Sequence, residues 1–397
     1  MLMCIMRYIE QEDMMGKTIC IFSTFYIPHL GGVERYTYNL SKKLVEYGNR
    51  VVVVTANVDG ISNQDKIEGI EIIRMPCYNV LNGRFPVLKY NNEHKELVRI
   101  LSQMQFDFVV VNSRFYSISY FGACFAKKQG LKSIVIEHGT NHFSINNRLL
   151  TFFGHIYEHL ITALIKKYCK EYYGVSLACM KWLEHFGIEA RAPLYNAVDI
   201  NNIKHILNNP IEDYRKKFGI QEDDIIIAYT GRLVVEKGIL KLIDAVKQLN
   251  NSGKKVYLLI AGEGDLYQDI CNNTTDTILA IGKLDFPYVI ALLKQSDIFC
   301  LPTDYPEGFP TSVLEAVACK CFVVTTSSGG SKELISDRDY GIILNENTVE
   351  EIYRNLVNAI EDELYRINAT EKAYQRLIEN FTWDIVAKNL MNLIMED

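Results

Sequence analysis

Two carboxylates with seven residues between them, Glu307 and Glu315, sit in the stretch L-P-T-D-Y-P-E-G-F-P-T-S-V-L-E-A from Leu301 to Ala316. A strand-like run, Asp297–Leu301, leads in, and an apolar helix from Ser312 to Cys319 leads out. Pro310 suits the first turn of a helix, where a missing N–H costs nothing. The unpaired N–H groups of such a helix start, near Thr311, attract anions such as phosphates. Gly308 has no side chain and lets the backbone come close to a ligand. At about 1.5 Å of rise per residue, Glu315 falls on a later helical turn than Glu307. One acid could then address each end of an elongated ligand whose phosphates rest at the helix start. A strand-to-helix turn with two solvated acids has the same spacing, so the pair needs company.

That company lies at other strand ends. Arg232 offers a planar fork for two phosphate oxygens, and Lys237 adds a compact charge five residues later. Gly31-Gly32 opens a helix after the first strand, where backbone N–H groups can face a pyrophosphate unobstructed. The turn lacks the spacing of the dinucleotide fingerprint G-x-G-x-x-G. Glu137-His138-Gly139-Thr140 closes another strand; a lone histidine is structural more often than chemical, and His142 is a nearby rival. Gly262-Glu263-Gly264 is a G-x-G turn, with Tyr267 where a third glycine would complete a nicotinamide fingerprint. Asp337-Arg-Asp339 has the D-x-D form of metal–diphosphate sites but lies in a polar turn, and reads as solvated. No cluster shows metal-ligand spacing, so no metal or other cofactor is expected.

The E-x7-E pair, the G-R-L-V-V-E-K-G run from Gly231 to Gly238 and the Gly31-Gly32 turn resemble the retaining glycosyltransferases of family 4, which have the GT-B fold. The resemblance covers Ile19 to Ile394 and is most specific in the second half. It implies an α/β chain of two doubly wound, Rossmann-like domains facing across a cleft, with a C-terminal helix crossing back to the first. It also implies roles. Glu315 would bind ribose hydroxyls, Arg232 and Lys237 the diphosphate, and Glu307 the sugar hydroxyls together with the backbone of Gly308, Phe309 and Pro310. The helix start at Thr311 would face phosphate, and Gly262 would line the donor site. Leu284, in Ile281-Gly-Lys-Leu284, would belong to the segment whose backbone reads the base. From the first domain, Gly31 and Gly32 would close over the donor, and His138 would stand near the transferred sugar. Ser328-Gly-Gly330-Ser-Lys-Glu333 resembles the family's G-G-x-x-E turn. Cys319-Lys-Cys-Phe322 departs from the family, which usually has glycine and proline there.

The elements that must position these groups are written twice. β-branched or aromatic runs occur at Ile19–Phe25, Arg50–Ala56, Ile70–Met75, Asp107–Asn112, Ser133–Glu137 and Tyr172–Ser176. A second series follows at Ile225–Thr230, Val256–Ala261, Ile278–Ile281, Asp297–Leu301, Phe322–Thr326 and Gly341–Leu344. Helical segments such as Glu34–Tyr47 and Asn92–Gln103 separate most of them, which predicts parallel sheets covered on both faces. Ligands are then expected at the carboxyl ends of the strands. The expected division is a leader, residues 1–18, a first domain over 19–199, a second over 200–380 and a closing helix over 381–397. The junction near Pro193–Asp199 resembles the family's P-N-G-V-D linker, with Ala197 in place of glycine.

Length and charge narrow the function. At 397 residues the chain exceeds one ordinary core, and two domains are the prior. Residues 1–199 hold 22 Lys and Arg against 18 Asp and Glu, while the remainder holds 20 against 30. No concentrated basic face argues for a nucleic-acid partner. The mildly basic first half permits contact with an anionic membrane surface. The segment Leu160–Lys170, L-I-T-A-L-I-K-K-Y-C-K, reads first as a buried helix with a lysine rim and second as a bilayer contact. No apolar run reaches the roughly 20 residues of a membrane span, and Met1–Lys17 has no signal-peptide pattern. Ten cysteines without a C-x-x-C pair fit a reduced, cytoplasmic protein, peripheral on the inner membrane face if it touches one.

The function so implied is hexosyl transfer with retention from a nucleotide diphosphate sugar, a UDP-sugar first, to a hydroxyl of a glycan or lipid-linked acceptor. Cell-surface polysaccharide biosynthesis is the setting that the family suggests. The alternatives are a GT-B epimerase or phosphorylase, or a nucleotide-sugar-binding protein without turnover.

Overall fold

The structure, a computed structural model, describes residues 16–29, 31–81, 83–143, 147–209 and 211–396. It divides into two compact units, one of residues up to Asn196 together with Trp383 onward, the other Ala197–Thr382. The first fifteen residues of the expected leader lie outside the described residues. Lys17 is already anchored, its N–H donating to Asn49 Oδ1 at 3.1 Å, and Thr18 opens the first strand.

The first unit is built on β1 (Thr18–Phe22), β2 (Arg50–Ala56), β3 (Gln64–Ile67), β4 (Ile70–Met75), β5 (Cys77–Val80), β6 (Phe85–Leu88), β7 (Phe108–Asn112), β8 (Lys132–Glu137) and β9 (Glu171–Gly174). Seven of these form one sheet in the order β3-β4-β2-β1-β7-β8-β9, parallel except for β3. Val51 to Val54 and Val109 to Val111 are fully buried, as strands covered on both faces require. Leu40 and Leu44 of the helix Gly32–Glu46 are buried too, and truncating Leu40 to Ala would cost about 2–5 kcal/mol. The expected strand to Phe25 stops at Phe22, because Ser23 Oγ bonds Phe25 O at 3.0 Å and turns the chain. The β5–β6 hairpin and the antiparallel edge β3 were not anticipated; QDKI is too polar to read as a strand.

The second unit carries β10 (Ile225–Thr230), β11 (Val256–Ala261), β12 (Ile278–Gly282), β13 (Ile298–Leu301), β14 (Phe322–Thr326) and β15 (Ile342–Leu344), all parallel, in the order β12-β11-β10-β13-β14-β15. Order reverses between β10 and β13, so the carboxyl ends of those two strands flank the crevice where doubly wound sheets bind ligands. The helix Trp383–Met395 belongs to the first unit. There Trp383 meets the Tyr36 ring edge-on at 5.2 Å, and Lys132 Nζ donates to Leu393 O at 3.1 Å.

Candidate active site

The carboxyl ends of β10, β11 and β13 and the helix Thr311–Ala318 place most of the named residues of the second unit around one spot. Past β10, the Tyr229 hydroxyl donates to Arg232 O at 2.9 Å and fixes the loop that presents the Arg232 side chain to solvent. A short 3-10 turn, Val235–Lys237, follows, and Glu236 O accepts from Asp304 N at 2.8 Å, tying that turn to the segment after β13. Two cations then face one ring. The Arg232 guanidinium lies 4.8 Å from the Tyr305 centroid and Lys237 Nζ 5.2 Å from it. Lys237, buried, also ion-pairs with Glu307.

The backbone around them is closely fitted. A Cβ on Gly262 would meet Gly231 O at 1.9 Å, so the turns after β10 and β11 touch only because neither has a side chain there. A Cβ on Gly329 would come within 2.6 Å of the carbonyl oxygens of Glu307 and Gly308. Ser328 Oγ donates to Tyr305 O at 2.6 Å, which holds the Glu307 turn against the end of β14. Pro310 stands at the N-cap of the helix Thr311–Ala318 with no side-chain cap. Glu315, on that helix, is buried. Phe309 is buried against Phe381 at 5.3 Å and is packing. Leu284 is half-buried just past β12, where Lys283 pairs with Glu263 at 2.7 Å. The segment Asp337–Asp339 is an exposed turn: Asp337 Oδ1 accepts from Asp339 N at 2.8 Å, and Asp339 pairs with Lys372.

In the first unit Gly31 is the N-cap of the helix Gly32–Glu46. Glu34 folds back over it: a Cβ on Gly31 would lie 2.3 Å from Glu34 Oε2. Burial lifts the Glu34 carboxyl above its ordinary range. An acidic side chain thus lies at the helix start that was expected to hold donor phosphate, while Gly32 remains open.

His138 is set by a relay that sequence did not reveal. Thr37 Oγ1 donates to Val33 O at 2.7 Å and accepts from Asn112 Nδ2 at 2.8 Å. That leaves Asn112 Oδ1, which can only accept, 3.0 Å from His138 Nε2. Nε2 therefore carries the proton and Nδ1 the lone pair. Burial pushes the His138 pKa down to about 3, so the ring is neutral near pH 7. It can accept a hydrogen bond through Nδ1 but cannot serve there as an acid. Beside it, Arg114 pairs with Glu137 at 2.8 Å, each only 1% exposed, and Glu158 lies 3.9 Å from the same guanidinium.

One sequence reading changes and one is extended. Within Leu160–Lys170, Ile161 and Ile165 are buried, but Leu160 is 62% and Leu164 38% exposed. The helix Arg148–Tyr168 is apolar on its outer face as well as its inner one. Sequence spacing marks no metal cluster, and the fold adds a group in space: one ring nitrogen from each of His142, His159 and His185 lies within 4.8 Å of the others. Tyr305 was missed as well, although it stands inside the central stretch.

Comparisons with known proteins identify the family and the fold. Residues 210–379 match the model of glycosyl transferases group 1, and residues 30–202 match that of Glycosyltransferase Family 4. The chain belongs to this glycosyltransferase family, and it is a transferase enzyme with the GT-B fold. It is 28% identical over 377 residues to an uncharacterized glycosyltransferase of Methanocaldococcus jannaschii, covering 92% of this chain and 95% of that one. It is 24% identical over 396 residues to the GPI3 subunit of phosphatidylinositol N-acetylglucosaminyltransferase from Saccharomyces cerevisiae, covering 96% and 83%. The structure of Anabaena Alr3699/HepE in complex with UDP and glucose superposes with a TM-score of 0.71 at 16% identity, over 96% of this chain and 99% of that one.

Proposed function

We propose that this glycosyltransferase moves a hexosyl unit, with retention, from a UDP-sugar to a hydroxyl of a glycan or lipid-linked acceptor in cell-surface polysaccharide assembly. The observation that carries the reading is the convergence of Arg232 and Lys237 on Tyr305, with Glu307 paired to Lys237, beside a helix start without a side-chain cap. Arg232 and Lys237 would take the diphosphate, whose growing charge on departure is the main electrostatic demand of the reaction. As the phosphates draw Lys237, the Glu307 carboxylate turns to the sugar hydroxyls, so one ion pair reports both ends of the donor. Glu315 would accept from the ribose hydroxyls, with Thr311 at the phosphate end of its helix. On the first unit, His138 Nδ1 would accept from a sugar hydroxyl. No side chain need act as a covalent nucleophile: a leaving phosphate oxygen can take the acceptor's proton. The charge for this chemistry comes from Arg232, Lys237 and the helix start, and we propose that it needs no metal. The UDP assignment draws on the UDP of the Anabaena structure and the N-acetylglucosaminyl transfer of the yeast relative's name.

Calorimetry with UDP, GDP, ADP and their sugars, with and without magnesium, tests the donor. Tight metal-free binding of UDP is expected. Preference for GDP would change the base, and no binding of any diphosphate would remove the donor site from this spot.

We also propose that the helix Arg148–Tyr168 rests on an anionic bilayer. Leu149, Phe152, Phe153, Ile156, Leu160 and Leu164 are exposed along it, with Lys167 and Lys170 beyond. Apolar residues at this spacing, flanked by lysines, fit the headgroup boundary of a membrane. No helix among the described residues is long and apolar enough to cross one. Vesicles containing phosphatidylserine should retain the protein at low salt, and Leu160→Glu should release it; equal retention of both would end the idea.

A further inference from the structure

We infer that His142, His159 and His185 form a binding site for a divalent cation of the zinc class, separate from the donor-side groups. Three elements supply the set: the segment after β8, the helix Arg148–Tyr168 and the residue that ends the helix Leu177–Glu184. Their ring nitrogens all fall within 4.8 Å of one another, and His142 Nε2 is 3.1 Å from His185 Nε2. Two imidazoles on one tetrahedral zinc, at 2.0–2.1 Å each, would hold their nitrogens about 3.3 Å apart. The His142–His185 spacing is already that of two ligands, and His159 lies within 4.8 Å of both.

The surroundings fix which nitrogen faces the metal. The carboxylate of Glu158 accepts from His142 Nδ1–H, so Nε2 carries the lone pair and points at His185. A carboxylate behind a histidine in this way is the usual outer partner of a metal-binding imidazole. Glu158 is itself buried and held by Arg114 and by Phe143 N–H, so it cannot swing away. Around Arg114 two buried carboxylates, Glu137 and Glu158, face one guanidinium, an excess of negative charge that a cation at His142 would offset. His155 stacks on His142 at 4.1 Å and Trp182 stacks on His185 at 4.9 Å, which keeps both rings in place.

Room for a fourth ligand is present. His159 and His185 line a surface cavity of about 330 Å³ with Thr162, Lys166 and Phe186. The Thr162 hydroxyl there is buried without a hydrogen-bond partner. Three imidazoles and an open position suit zinc, and less well the hard cations that prefer carboxylate oxygens. Such an ion would tie the segment after His138 to two helices of the first unit.

The test uses the full chain, stripped with chelator and titrated with zinc against a chromophoric competitor, with metal content measured after dialysis. One equivalent of zinc per chain is expected. Because His159 and His185 are exposed, the double variant His159→Ala/His185→Ala should fold, by circular dichroism, and lose that equivalent. Glu158→Gln keeps all three ligands and should weaken zinc about 10–100-fold. Zinc should also raise the melting temperature of the parent and not of the double variant. Failure of the parent to hold stoichiometric zinc, or equal zinc in the double variant, would overturn the site.

Discussion

The two units use charge in opposite ways. In the second, Arg232 is exposed, Glu307 half-buried and Lys237 buried, and all three come from short runs after strands. In the first, Arg114, Glu137 and Glu158 are almost wholly buried and come from three segments distant in sequence. Of the charges proposed to meet a ligand, Arg232 stays in solvent, while buried Lys237 is held by its pair with Glu307. Those of the first unit are committed to one another, and the fold depends on their balance.

Substitutions can break this contrast. The largest effect should come from Arg114→Met, which strands two buried carboxylates and should cost about 3–5 kcal/mol in urea unfolding. Loss of under 1 kcal/mol would show that water reaches the cluster. Next, Arg232→Ala should leave the melting temperature nearly unchanged while transfer from a UDP-sugar falls about 100–1,000-fold; normal turnover would move the diphosphate elsewhere. Glu307→Gln keeps the shape of its turn and should lower kcat about 10–100-fold, the worth of one charged hydrogen bond, with a smaller change in UDP affinity. An equal loss in both would place Glu307 on the nucleotide.

His138 sharpens the comparison from the first unit. Its folded pKa, about 3, lies far below the ordinary 6.5, so the folded state resists a proton that the unfolded chain accepts. Its contribution to stability is complete above about pH 6.5 and fades as pH falls toward 3, by at most about 1.4 kcal/mol per unit. His138→Gln should flatten the acid limb of the stability profile, and an unchanged limb would show that the ring takes up a proton freely. The smallest effect concerns the Cys319-Lys-Cys321 departure. Lys320 sits at φ 61°, where a side chain is strained, and its ammonium makes an exposed pair with Glu371 and lies 4.8 Å from the Tyr374 ring centroid. Lys320→Gly removes the strain together with the ion pair and the Tyr374 contact and adds glycine's unfolded freedom, so urea unfolding should shift by no more than about 0.5 kcal/mol.

Legibility in sequence follows the same division. The expected strands of the second unit lie within a residue or so of β10 to β15, because continuous Ile, Val and Leu runs between helices leave little choice. Arg232, Lys237 and Glu307 were nameable because each lies a few residues past a strand, and Glu315, in the helix after β13, because the E-x7-E spacing resembles the family's. The first unit hid more. Nothing in Thr37, Asn112 and His138 marks them as partners, since β1, β7 and β8 must pair before the relay exists. The histidine cluster joins residues 142, 159 and 185 by helix packing, for which no short spacing rule holds. Polar strands such as Gln64–Ile67 escaped because their pairing is dictated by β4 and not by their own side chains.

The helix Trp383–Met395 has a consequence for how the protein is made. It completes the first unit, covering Tyr36 with Trp383, and Asp384 accepts from the Tyr47 hydroxyl at 2.9 Å. A ribosome must therefore finish the entire second unit before the first can close. Through most of translation the nascent first unit keeps an apolar seam uncovered, which gives chaperones something to hold and makes a premature stop costly to both units at once.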